Sequence, residues 1–239
     1  MRIPTMRRLA IFVEGYTELQ FIERLLIEIA GKNNILIEKN QVSGGSKSPI
    51  KISILESPKA ATSEEFYVLL MDCGGDKQVA ARIRQQHKYL TEKNYTKIIG
   101  VRDVRPDFSR ADVASLEVNL NKYIKTSLIP VVFILSVLEM EAWFLAEFNH
   151  FPKINPAITI SAIEGALGFN PERDDLSLRA APASDLKNAY AIGGEIYIKG
   201  GDERMLNALD YSFIYLELKN RIPYLEKLIC CIDDFLTES

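Results

Sequence analysis

The chain has 239 residues, 47% of them apolar, enough for one large domain or for one domain with a smaller appendage. A formal charge of −3 and a pI near 5.6 exclude a global basic field that would draw nucleic acid to the whole surface. The three cysteines (Cys73, Cys230, Cys231) include no CxxC pair, and His87 and His150 have no metal-ligand neighbour at helical spacing, which removes most zinc chemistry and most Ser-His and Cys-His triads.

No GxSxG elbow, GxGxxG turn or Walker A motif occurs. Any catalysis therefore falls to carboxylates, lysine and arginine. The basic start "MRIPTMRRLAIF" soon meets Glu14 and does not read as a signal peptide. The longest apolar run, "VVFILSVL" at 131–138, is far short of the ~18 residues of a membrane span. The expectation is a reduced, cytoplasmic protein with no membrane contact.

In chain order, "RLAIFV" reads as a buried strand. Thr17 reads as the N-cap of the helix that follows, with Gln20 as its capping-box partner. Ile22, Leu25, Leu26 and Ile29 give that helix an apolar face, and Gly31 ends it. "ILIEKNQV" and "IKISILE" read as a hairpin around "SGGSKSP", a flexible loop without phosphate-loop spacing. "EFYVLLMD" is a strand, and "CGGDKQVAARIRQQHKYL" is a turn entering a helix. "YTKIIGVRD" is a strand, followed by a helix from about Ser109 to Tyr123. "IPVVFILSV" is the last strand, and "LEMEAWFLAEF" begins the next helix. This alternation predicts an α/β domain over 1–149 with a largely parallel sheet flanked by helices. Prolines and short helical patterns then predict a small, mostly helical C-terminal subdomain over 150–239.

In such sheets functional residues gather beyond the carboxyl ends of the strands. Glu14, Asp72 and Asp103 each stand at such an end, and the last strand runs out into Glu139 and Glu141. Clustered carboxylates cost free energy unless a cation neutralises them, and oxygen-only ligands suit Mg²⁺ or Mn²⁺. Local structure offers competing explanations. Glu18 in a first helical turn favours the helix dipole, and Asp72 before "CGGD" can organise a turn. Glu139 and Glu141, two residues apart, cannot share a helix face, so at most one is expected to enter a site. In "GVRDVRPDFSR" (100–110), Asp103 and Asp107 alternate with Arg102, Arg105 and Arg110, whose forks suit either ion pairs or phosphates.

At this point the residues resemble a known family. "FVEGYTE" after a strand, with an aspartate closing a later strand, resembles the Toprim domain of topoisomerases, primases and OLD (overcoming lysogenization defect) nucleases, most closely the OLD branch with its ExxxE motif. "EAWFLA" (141–146), the YxK pair Tyr197 and Lys199, and "PYLEKL" from Pro223 are similar to a Toprim-related bacterial family. The resemblance implies a Toprim-like fold holding Mg²⁺ (or Mn²⁺) on Glu14, Glu18, Asp103 and Glu141. Glu14, Asp103 and Lys199 would then be catalytic, and Arg102, Arg105 and Arg110 would hold nucleic-acid phosphates. Arg105 stands where the family has a second acid, which leaves Asp107 as the substitute ligand. The implied function is a metal-dependent nuclease acting on DNA or RNA in anti-phage defence, with a separate ATPase partner. The alternatives are a non-catalytic Toprim-like module binding a partner protein or nucleic acid, and a nucleotide-binding protein using the "CGGD" turn (73–76).

Overall fold

From Leu9 to Val13 the first strand, β1 (Arg7–Val13), keeps no exposure at all. An unbroken apolar strand of this kind belongs in the middle of a sheet covered on both faces. A computed structural model of the chain, describing residues 6–31, 33–44, 48–57, 66–75, 77–104, 108–137 and 139–237, places it there. The other strands are β2 (Ile35–Ser43), β3 (Lys51–Glu56), β4 (Phe66–Asp72), β5 (Lys97–Asp103) and β6 (Val131–Ser136). Their order across the six-stranded sheet is β3-β2-β4-β1-β5-β6. Every neighbouring pair is parallel except β2 with β3, the expected hairpin, which runs antiparallel at one edge.

Side-chain alternation sorts the core into two layers. Leu9, Ile11 and Val13 face α1 (Tyr16–Ala30) and α10 (Pro223–Thr237), whereas Ala10 and Phe12 face α2 (Gln78–Glu92) and α3 (Val113–Asn121). Each fully buried Leu, Ile or Phe contributes roughly 1.5–3 kcal/mol, so these two layers are the main source of stability. Gly100 in β5 is required by close approach. A Cβ there would stand 2.7 Å from Ile83 Cδ1 of α2 and 2.9 Å from Phe133 Cδ1 of β6.

One local expectation is corrected at α1. The helix begins at Tyr16 with Gly15 as N-cap and no side-chain cap, so Thr17 lies inside the first turn, buried. The glycine fits because the chain must turn sharply from β1, and the Leu19 N–H already bonds to the Gly15 carbonyl at 3.1 Å. Gly31 does end the helix, at φ 54°, a conformation that suits glycine.

Beyond β6 the chain is helical: α4 (Glu141–Ala146), α5 (Phe151–Ile154), α6 (Ile160–Leu167), α7 (Pro182–Ile192), α8 (Glu203–Ala208) and α9 (Tyr211–Leu216) precede α10. Several helices start on caps visible in the sequence. Thr159, Asp202 and Asp210 accept from the N–H groups of Ala162, Met205 and Phe213. These helices share one apolar core with the α1 face of the sheet: Phe21 meets Phe144 at 5.3 Å between ring centroids, and Phe66 meets Phe235 at 5.4 Å. Among the described residues, no helix is long and apolar enough to cross a membrane.

Candidate functional site

Sheet register carries Asp72, Asp103 and Ser136 to the carboxyl ends of β4, β5 and β6, with Asp103 directly opposite Ser136 and Asp72 opposite Val13. By parity all three side chains lie on the α1 face. Glu14 follows β1 between them, and Glu18 sits in the first turn of α1. The strand-end acids therefore gather at one edge of the sheet.

Two of these acids hold the edge together. Glu14, buried, accepts the Asp103 backbone N–H on Oε1 at 2.7 Å, and its own carbonyl accepts the Gly75 N–H at 2.7 Å. Through these bonds it ties the end of β1 to the end of β5 and to the turn after β4. Asp72 accepts the Gly74 N–H and the Gln41 amide, each at 2.9 Å, which organises that turn and fastens β2 to it.

The remaining acids crowd one another. Asp103 is buried and accepts the Met140 N–H at 3.0 Å on Oδ1. Burial, with the charges of Glu18 and Glu141 added, raises its carboxyl well above the usual carboxylate range, against the pull of Ser136 and Lys199. Half-buried Glu18 is pushed up to about 7, by burial first and then by Glu141 and Asp72, with Lys199 again opposing. Glu141, at the start of α4, accepts the Tyr197 hydroxyl at 3.2 Å. Burial, and after it Glu141, raise the Tyr197 phenol and keep it a donor.

Lys199 is the cation these acids share. It lies in the loop between α7 and α8, with its ammonium 2.9 Å from Glu139 Oε1 and 3.5 Å from Glu141 Oε1. Burial works against its charge, but Glu141, then Glu139, more than reverse this and hold the ammonium above its ordinary range. The loop itself is pinned where Asp202 accepts the Ile198 N–H at 3.3 Å and where the Tyr197 ring meets Tyr190 at 5.8 Å. Both Glu139 and Glu141 reach Lys199, contrary to the expectation that only one would enter. Helical spacing does not govern the pair, because α4 starts at Glu141 and Glu139 precedes it in a turn.

The other expected residues are placed differently. Arg102 is buried on the opposite face of β5, with its guanidinium 5.4 Å from the Phe108 ring centroid. Arg110 opens a 3₁₀ turn and donates to the Ser177 carbonyl at 3.3 Å. Arg105 and Asp107 lie outside the described residues, as does Asp76 of the "CGGD" turn. The strand-end rule names Glu139 beside Glu141, but the resemblance gives it no role, and it gives Tyr197 none of its own.

These acids do not form a ready-made site for the Mg²⁺ or Mn²⁺ of the implied family. Among the described residues, no group of three or more His, Cys, Asp or Glu side chains is placed to hold a metal ion. Hydrogen bonds already engage Glu14, Asp103 and Glu141, the first two with backbone N–H groups and the third with Tyr197.

Comparison with known proteins gives no family. No family model and no curated protein matches the sequence. One solved structure matches across 97% of this chain and 92% of its own, at 13% identity and a TM-score of 0.34: "the putative cell surface hydrolase from Lactobacillus plantarum WCFS1". So low a score transfers no activity. The resemblance to Toprim domains and OLD nucleases is corrected, since no family model and no curated protein of either kind matches. The metal-dependent nuclease, its anti-phage role and the Toprim-like binding module are corrected with it. In "FVEGYTE" the fold uses a buried strand, a glycine N-cap and a glutamate that accepts the Asp103 N–H from β5.

Proposed function

We propose that the carboxyl edge of the sheet is an acid–base site at which Glu18 exchanges a proton with a small polar molecule near neutral pH. The observation that carries this reading is a partly buried carboxyl group held near 7, facing other acids and one lysine. A general acid or base works best when its pKa lies near the working pH, and environments that push carboxyl groups this far are enriched at functional sites. As a carboxylate, Glu18 gains from taking a proton, because its repulsion from Glu141 and Asp103 is relieved. Lys199, held on Glu139 and Glu141, is the donor that would grip an electron-rich oxygen of the bound molecule. Tyr197 keeps Glu141 in place by donating to it.

The test is a carbon-13 NMR titration of the glutamate carboxyl groups, with the Glu18 signal assigned by its loss in Glu18→Gln. A midpoint between 6 and 8 is expected, and a midpoint below about 5 overturns the reading. Any turnover found on a panel of small esters and phosphate monoesters should follow the same midpoint and disappear in Glu18→Gln. Turnover indifferent to that substitution also refutes the proposal.

A further inference from the structure

A hollow beside α4 is independent of the acid–base reading. It is a cleft of about 400 Å³ between α4, the loop around residues 173–177 and the start of α10. Its floor is apolar: Trp143 and Ala146 from α4, with Leu176, all buried against the core. Its rim carries the exposed arginines Arg110, Arg173 and Arg221.

The charges on that rim are not equivalent. Arg173 is committed to Glu164 at 2.7 Å. Asp174 and Asp175 also line the cleft, but each turns a carboxylate oxygen to the backbone, Asp174 to the Asn170 N–H at 2.7 Å and Asp175 to the Ser177 N–H at 3.0 Å. Arg110 and Arg221 have no carboxylate partner among the described residues. Among the described residues, Arg110 donates only to the Ser177 carbonyl at 3.3 Å, and Arg221 only to the carbonyls of Pro171 and Asp174, both at 3.4 Å. A guanidinium has five N–H donors, so each fork keeps most of its donors for another acceptor. An apolar floor with a few convergent polar groups is the usual make-up of a small-molecule pocket. Two arginines without carboxylates select an anionic head, since the fork matches carboxylate and phosphate oxygens.

We propose that this cleft binds a small organic anion, its carboxylate or phosphate head on Arg110 and Arg221 and its apolar body against Trp143.

Trp143 is the chain's single tryptophan, so its emission reports the cleft alone. Octanoate and octyl phosphate, titrated separately, serve as the two head-group probes, with octylammonium as the control of opposite charge. At least one anion is expected to shift Trp143 emission saturably and to bind one-to-one by calorimetry, and octylammonium is not. The preferred anion shows whether the head is a carboxylate or a phosphate. Arg221→Gln and Arg110→Gln should each weaken that binding about tenfold, with an unchanged melting temperature reporting an intact fold. Arg173→Gln, which removes an arginine already paired, should weaken it less than twofold. The proposal is overturned if neither anion binds, if octylammonium binds equally well, or if both variants bind like the parent protein.

Discussion

The acid cluster and the cleft share the short helix α4 and treat charge in opposite ways. On the Glu141 side, acids are packed where water is scarce, and one lysine is shared among them. On the Trp143 side, arginines stand at an exposed rim over an apolar floor. The first arrangement stores electrostatic cost in the folded state, and the second leaves each charge its hydration. A buried charge must be paired or neutralised, while an exposed one contributes little to stability. Substitutions around the acids should therefore change stability and titration, and substitutions at the rim should change ligand binding alone.

The largest effect is expected at Glu14. Truncation to Ala strands the buried Asp103 N–H and should cost about 2–3 kcal/mol, a loss measurable by urea denaturation. If Glu14→Ala unfolds at the parent urea midpoint, the carboxylate does not staple β1 to β5. Lys199→Met ranks next. It removes the shared cation from a half-exposed position, so a loss of about 1–2 kcal/mol is expected after allowance for solvent screening. The Glu18 midpoint should also rise above its parent value in this variant, because Lys199 opposes that shift.

Stability should also depend on pH with a definite sign. A glutamate with an ordinary value near 4.5 and a folded value near 7 binds a proton more tightly folded than unfolded. Unfolding then becomes easier as pH rises from about 4.5 to 7, and the effect levels off above that window. The melting temperature should fall between pH 5 and pH 8, and Glu18→Gln should flatten part of the fall. A parent protein that gains stability over this range, with no difference in Glu18→Gln, would contradict the crowding around Glu18. The smallest effect belongs to the rim: Arg110→Gln should change unfolding free energy by less than about 0.5 kcal/mol. A larger loss there would erase the contrast between the two regions.

Much of the fold was legible before any coordinates. Strands near 7–13, 66–72, 97–103 and 131–136 were readable because each is a continuous apolar run bounded by turn residues. Their strand-end acids were legible for the same reason, since a charge that closes an apolar strand stands out. The start of α1 differs because Thr17 and Gln20 fit a capping pattern two residues too late, and only the path of the chain out of β1 makes Gly15 the cap. The family resemblance failed for a related reason. Its motifs are only a few residues long, and no family model matches the sequence.

The sequence by itself determined the alternation of apolar strands and helices and the acids at the strand ends. Only the tertiary structure decided which acids meet, because the strand order, with β1 between β4 and β5, sets their spacing, and sequence separation does not. It also decided that Glu14 spends its carboxylate on the Asp103 N–H. The cation comes from Lys199, nearly a hundred residues beyond the last of the strand-end aspartates, in a loop that packs over the sheet edge. Burial and through-space charge are properties of three-dimensional distance, so the raised carboxyl of Glu18 has no signature in a linear chain.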